Sequence, residues 1–314
     1  MLAAVPCAGA DCVVLFDCDD GTEKGRIAVG AHPVHLTAVD GAVFVATMGE
    51  RAISVIDGGE VTKVETGTLG PSHFALTDDG RVLIPCTGGD VLAVVDRASL
   101  SLVHRVGVDA EPHDVAVEGD RAYVGSRVDG TVSIVDPAAG RVDRTIAIDG
   151  DARIQGVDAG FGGVYAVDQA GARIARIDDT GVTASASVGS NPYEAILGTD
   201  RVLVAGRDGG TVTLLNPTLS ETTVHEVGGR PTGVTTIDET HWVLNRDRAR
   251  LLSLDARTSI PLPAPAFTAD PTGDGDTVVV SHYDDNRASL VSTIDREVVW
   301  TVETPPDPFE PLVL

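Results

Sequence analysis

Lysine is almost missing from this sequence. Only Lys24 and Lys63 are present, against 21 arginines. Aromatic residues are 4% of the 314, with two tryptophans, Trp242 and Trp300. That scarcity argues against a quinoprotein-type dehydrogenase subunit, because flat cofactors are held by stacking on aromatic rings. No apolar run reaches the ~18 residues of a membrane-spanning helix. The N-terminus, MLAAVPCAGADCVVLFDCDD, has no basic segment, and Pro6, Gly9 and Asp11 break its apolar stretch. It reads as neither secretory signal nor anchor, so the expected location is the cytoplasm, with no membrane partner. Catalytic signatures are missing as well. There is no G-x-S-x-G elbow and no CxxCH haem site, and GGTVTL at 209–214 is not followed by Lys-Ser/Thr.

What is abundant is short acid. Asp outnumbers Glu by 34 to 13, and the formal net charge is −24. Self-repulsion of that size opposes a compact state at low salt. At molar salt the Debye length falls to about 3 Å and the repulsion is largely screened. Lysine depletion together with aspartate excess points to a halophilic cytoplasm. The same charge excludes nucleic acid as a partner, since there is no basic surface to neutralise phosphates.

The chain is built on a repeat. A β-branched run ending in Asp or Asn recurs as VVLFD to Asp17, ISVID to Asp57, LAVVD to Asp96, VSIVD to Asp136, IARID to Asp178, VTLLN to Asn216, LLSLD to Asp255 and VSTID to Asp295. The intervals are 40, 39, 40, 42, 38, 39 and 40 residues. About ten residues before each mark lies a second apolar run, such as VFVAT or AYVGS, and before that a Pro-led strand such as HPVHLTAV or EPHDVAV. After the mark a turn such as PAAG leads to a fourth strand. Four short strands in roughly 40 residues, with Gly, Asp, Asn and Pro between them, is one propeller blade. The expected fold is therefore all-β: a single eight-bladed β-propeller over 1–314, with seven blades as the alternative. The weakest strand in that count is the leading one near Phe267–Thr272. The first copy lacks its leading strand, while DPFEPLVL at 307–314 looks like an orphan one. The C-terminal strand is therefore expected to complete the N-terminal blade and close the ring, hiding two sheet edges.

The copy EPHDVAVEGDRAYVGSRVDGTVSIVDPAAGRVDRTIAI, 111–148, resembles the YVTN-type propeller repeat, and the resemblance extends over nearly the whole chain. The resemblance implies a YncE-like, surface-layer-like or lactonase-like propeller and supports the fold. It carries no particular chemistry, and the family's Asn at the end of the second strand is kept only at Asn245.

Candidate sites lie where the repeat varies. Two residues past each leading Pro come His35, His73, Asp114, Glu194, Gly233 and Glu310, with Ile154 expected in the Pro-less unit. His113 stands beside Asp114. These positions point to the face where propellers usually bind ligands, so His35, His73, His113, Asp114, Glu194 and Glu310 are the candidate ligand-binding residues. Two imidazoles with flanking carboxylates on successive blades, His35, His73, Asp114 and Glu310, could hold a divalent metal. The competing reading is that they simply hydrogen-bond adjoining loops. A second set ends the second strands: Cys7, Thr47, Cys86, Ser126, Asp168, Gly206, Asn245 and His282. Short polar groups there are expected to fix the following turn. Cys7, Cys12 and Cys18 do not form a zinc site: Cys12 and Cys18 are about 20 Å apart along one strand, and two thiolates are too few.

The favoured reading is a monomeric, non-catalytic scaffold that binds a protein or small molecule. The alternative is a lactonase-like or lyase-like enzyme with a His/carboxylate metal site at the channel mouth.

Overall fold

The computed structural model describes residues 1–148, 151–237 and 240–314. Among them the only helices are three single 3-10 turns, Ala8–Ala10, Thr87–Gly89 and Tyr283–Asp285. No helix is long and apolar enough to cross a membrane. The strands form eight four-stranded sheets. The protein is an eight-bladed β-propeller, and the seven-bladed alternative is set aside.

Blade 4 shows how sequence makes the unit. Its strands are Pro112–Glu118, Arg121–Ser126, Thr131–Asp136 and Arg141–Ala147, paired in that order. Pro112 opens the leading strand, where a missing N–H breaks no central ladder. The register then shifts between Pro112 and Asp114, which re-aims the next side chains. Gly119, at φ 61, makes the tight turn into the second strand. At the end of the third strand Asp136 Oδ1 accepts the Ala139 N–H at 2.9 Å, fixing the turn to the fourth.

Burial follows strand position. The second and third strands are buried almost throughout, because neighbouring sheets cover both of their faces. The fourth strand alternates exposed and half-buried residues. Each core lies between two blades. Val132, Ile134 and Ile146 of blade 4 pack on Ile154, Val157 and Val164 of blade 5. Each such side chain contributes ~1.5–3 kcal/mol when fully buried.

The chain divides into two compact units: residues 1–49, 54–63 and 227–314 in one, and 50–53 and 64–226 in the other. The first unit holds blades 1, 7, 8 and most of blade 2. In it, Leu2–Cys7, Cys12–Asp17 and Glu23–Ala28 are joined by the C-terminal Leu312–Val313 as fourth strand. Ala3 pairs Val313, Ala4 pairs Leu312, and Leu314 N–H donates to Leu2 O at 2.8 Å. The C-terminal strand completes blade 1, as expected from the orphan segment. The second unit holds blades 3–6, packed through blade-to-blade cores of the kind described above.

Two sequence expectations are corrected by register. In blade 8 the second strand starts at Thr277, which pairs Ser292. In blade 3 the corresponding pair joins Arg81, the first residue of the second strand, to the mark, Asp96. Ser292, not Asp295, therefore occupies the mark, and Asp295 lies three residues beyond it. The hydroxyl does the carboxylate's work: Ser292 Oγ accepts the Asp295 N–H at 3.0 Å. In blade 5 Ile154 pairs Asp168, so it fills the Pro place, and Gly156 takes the place two residues on. A Cβ at Gly156 would lie 2.9 Å from both Glu194 Cα and Tyr193 O, so close strand approach explains the glycine. The leading strand of blade 8, Ala269–Pro271, is short but present.

Candidate functional site

The starts of the leading strands carry two distinct constellations, one in each unit. In blades 8, 1 and 2, His35 and Glu310 are brought together: His35 Nδ1 lies 2.5 Å from Glu310 Oε2. Burial raises the Glu310 carboxyl, but the His35 charge and hydrogen bond outweigh it, and the group sits below its ordinary value. Beside the pair stands an aromatic wall. The ring of Phe309 meets His35 edge-on at 5.4 Å, Phe267 at 4.9 Å and Tyr283 at 6.0 Å. All three aromatic residues are half-buried. Phe309 follows Pro308, Phe267 lies two residues before the leading strand of blade 8, and Tyr283 directly follows the second strand of blade 8.

In blades 3–6 the candidates are tied into the backbone. His73 Nδ1 donates to His113 O at 2.8 Å, and the two imidazoles lie 4.6 Å apart. His113 is buried; its Nδ1 donates to Gln155 O at 2.8 Å. Asp114 accepts the Val115 N–H on Oδ1 and the Val157 N–H on Oδ2, at 2.8 and 2.9 Å. Glu194 neighbours Tyr193 on the leading strand of blade 6, Pro192–Leu197. A pattern emerges at the residue after the leading Pro. Ser72 Oγ donates to His113 O, His113 to Gln155 O, and Thr232 Oγ1 to Ala266 O, each reaching the next blade. His113 therefore stitches blades. Among the described residues no group of three or more His, Cys, Asp or Glu side chains is placed to hold a metal ion.

The residues ending the second strands are structural. Thr47, Ser126, Asp168, Asn245 and His282 are each at most 2% exposed. Asp168 Oδ1 accepts the N–H groups of Arg153 and Gly171. Asn245 Nδ2 donates to Gly228 O at 2.6 Å, and Ser126 Oγ to Ala110 O. His282 lies between the Ala264 carbonyl and Ser289 Oγ, and burial lowers its pKa. Cys7 and Cys12 face each other across the first hairpin as free thiols. The hydrogen bond from Cys7 holds the Cys12 thiol down at about 7.

Sequence reasoning stopped one residue short of a further set. Immediately after the second strand come Arg127, Arg207, Arg246 and Tyr283 in blades 4, 6, 7 and 8. Arg207 lies over the Tyr193 ring, 3.8 Å from its centre. Arg246 pairs with Asp284. The signal was readable as bulky or basic residues at one phase of the repeat.

The fold is shared with solved structures at low identity. Apo AztD from Citrobacter koseri aligns with a TM-score of 0.74 at 13% identity, over 99% of this chain and 96% of that one. NirN, a dihydro-heme d1 dehydrogenase in complex with DHE, gives 0.81 at 15% identity, over 99% and 74%. A streptogramin B lyase gives 0.67 at 14% identity, over 80% and 90%. At these identities the likeness is one of fold. No protein-family model and no curated protein sequence matches the chain.

Proposed function

We propose that this protein is a non-catalytic, ligand-binding propeller of a halophilic cytoplasm, with a repeat of YVTN type as the 111–148 copy supports. One observation carries the binding reading: the half-buried wall of Phe267, Phe309 and Tyr283 beside the His35–Glu310 pair. An apolar surface with few convergent polar groups is what a small-molecule site needs. His73, His113 and Asp114 support the same reading as framework, since each is hydrogen-bonded to backbone. Nucleic acid and membrane remain disfavoured by the charge.

A second reading is favoured by the same pair. Glu310 orients His35 as an orienting carboxylate does for a general base. A lyase-like or lactonase-like enzyme would use His35 so. One experiment separates the two. Thermal-shift screening of small organic compounds in molar KCl, with mass spectrometry of each hit, is expected to give binding without turnover. A product formed by the wild type and lost in His35→Ala would establish the enzyme instead.

A further inference from the structure

Three aromatic rings meet at one place in blades 8 and 1. Phe267 and Tyr283 lie 5.7 Å apart, tilted at 45°, and Phe309 closes the triangle at 4.9 Å and 6.0 Å from them. Each residue is half-buried, so part of each ring stays open. The segments that carry Tyr283 and Phe309 are tied together. Asn286 Oδ1 accepts the Asp307 N–H at 3.0 Å, and the Ala8 N–H donates to Asp307 O at 2.9 Å. A wall fixed in this way need not be ordered when a ligand arrives.

The charge on those two segments has one sign. Tyr283 is followed by Asp284 and Asp285, and Phe309 stands between Asp307 and Glu310. Arg246 pairs with Asp284 and His35 with Glu310, so each cancels one carboxylate. Asp285 and Asp307 make no ion pair among the described residues, which leaves the surplus negative. Burial, then the charges of Asp307 and Asp284, push the Tyr283 phenol up, so the field of both carboxylates reaches that ring. An aromatic face is itself negative and attracts a cation held within ~6 Å of its centre. A potassium ion keeps its water and gains little from such a face. An ammonium wrapped in methyl groups has no N–H to hydrate, and it buries apolar surface as well.

We propose that the ligand of the Phe267–Tyr283–Phe309 wall is an organic cation of the quaternary ammonium class, with Asp307 supplying uncompensated charge beside the rings. This rests on the binding reading above and names the ligand class for the same wall.

The test titrates choline chloride into the full chain in molar KCl at constant total chloride, following the melting temperature. A parallel titration uses the neutral alcohol in which carbon replaces the quaternary nitrogen. A saturable rise is expected with choline, at an apparent affinity about tenfold or more above that of the alcohol. Phe309→Leu keeps an apolar side chain but removes the ring, and is expected to weaken choline binding about tenfold. Asp307→Asn copies Asn191, which precedes its own Pro at φ 55 as Asp307 does at φ 59. That variant is expected to melt like the wild type without choline and to bind choline several-fold more weakly. Equal affinity for choline and the alcohol would overturn the cation and leave the wall an apolar site, so the binding reading would survive. The proposal is also overturned if choline gives no saturable shift, or if both variants titrate like the wild type; the compound screen described above then decides the binding reading by itself.

Discussion

Asp158 and Asp270 occupy the same register place on two leading strands, opposite Tyr165 and Val279. Burial raises each carboxyl to about 6, against partial opposition from the Ala159 and Val313 amides respectively. A folded value above the unfolded one means that the native state holds the proton through the window between ~3.8 and 6. The stability it brings is present below that window and lost as pH rises through it. Asp158→Asn keeps an oxygen for the Ala159 N–H and removes the buried charge. The variant is expected to be more stable at pH 7.5, on the order of 1–2 kcal/mol, with the gain gone by pH 4. Calorimetry in molar KCl at the two pH values decides it; an equal gain at both would mean that packing, not charge, is responsible. The residue scale is also where sequence reading was most uneven. The Asp that ends the third strand was legible because one carboxylate makes the same turn again and again. At Ser292 it was illegible, because a hydroxyl accepts the same N–H and the letter alone hides the role. Arg207 was visible as a letter, but its seat over the Tyr193 ring is revealed only by coordinates.

At the scale of the element, strand count and order were readable because each blade repeats the same punctuation, and because the missing first strand and the extra last one account for each other. Register was less readable. The bulge after the leading Pro shifts later residues by one, and in blade 5, where the Pro is absent, nothing in the sequence marks where the strand begins. Two consequences can be measured. Ser292→Ala removes the acceptor of the Asp295 N–H and is expected to destabilise by about 1 kcal/mol, while Asp295→Ala, exposed and past the strand, is expected to change little. Denaturant titration of both variants checks the blade 8 register; the reverse order would restore Asp295 as the turn former. Deleting 308–314 removes the strand that covers Leu2–Cys7. It leaves an unpaired apolar edge, Ala3 to Val5, each now 0% exposed. The truncated chain is expected to melt several degrees lower and to aggregate on heating. Unchanged melting and solubility would show that the C-terminal strand is dispensable.

For the molecule as a whole, two electrostatic effects respond to salt with opposite sign. Local ion pairs such as Arg121–Asp143, at 2.8 Å, and Lys24–Asp17, at 2.9 Å, are weakened by added salt. Each is a surface pair and contributes little. Against them stands the general repulsion of a chain at −24, which added salt relieves. Basic residues can neutralise at most 23 of the 47 acidic charges, so the uncompensated majority decides the balance. Stability is therefore expected to climb steeply between about 0.1 and 2 M KCl, where the Debye length contracts from ~10 Å to under 3 Å. Replacing exposed, unpaired aspartates by asparagine should flatten that climb from its low-salt end, because the repulsion they contribute is already absent at high salt. Melting temperatures across the KCl series, for the wild type and for such a variant, test the charge argument directly. A flat wild-type curve, or one that falls with salt, would show that paired charges dominate and would remove the physical basis for reading this composition as an adaptation to brine.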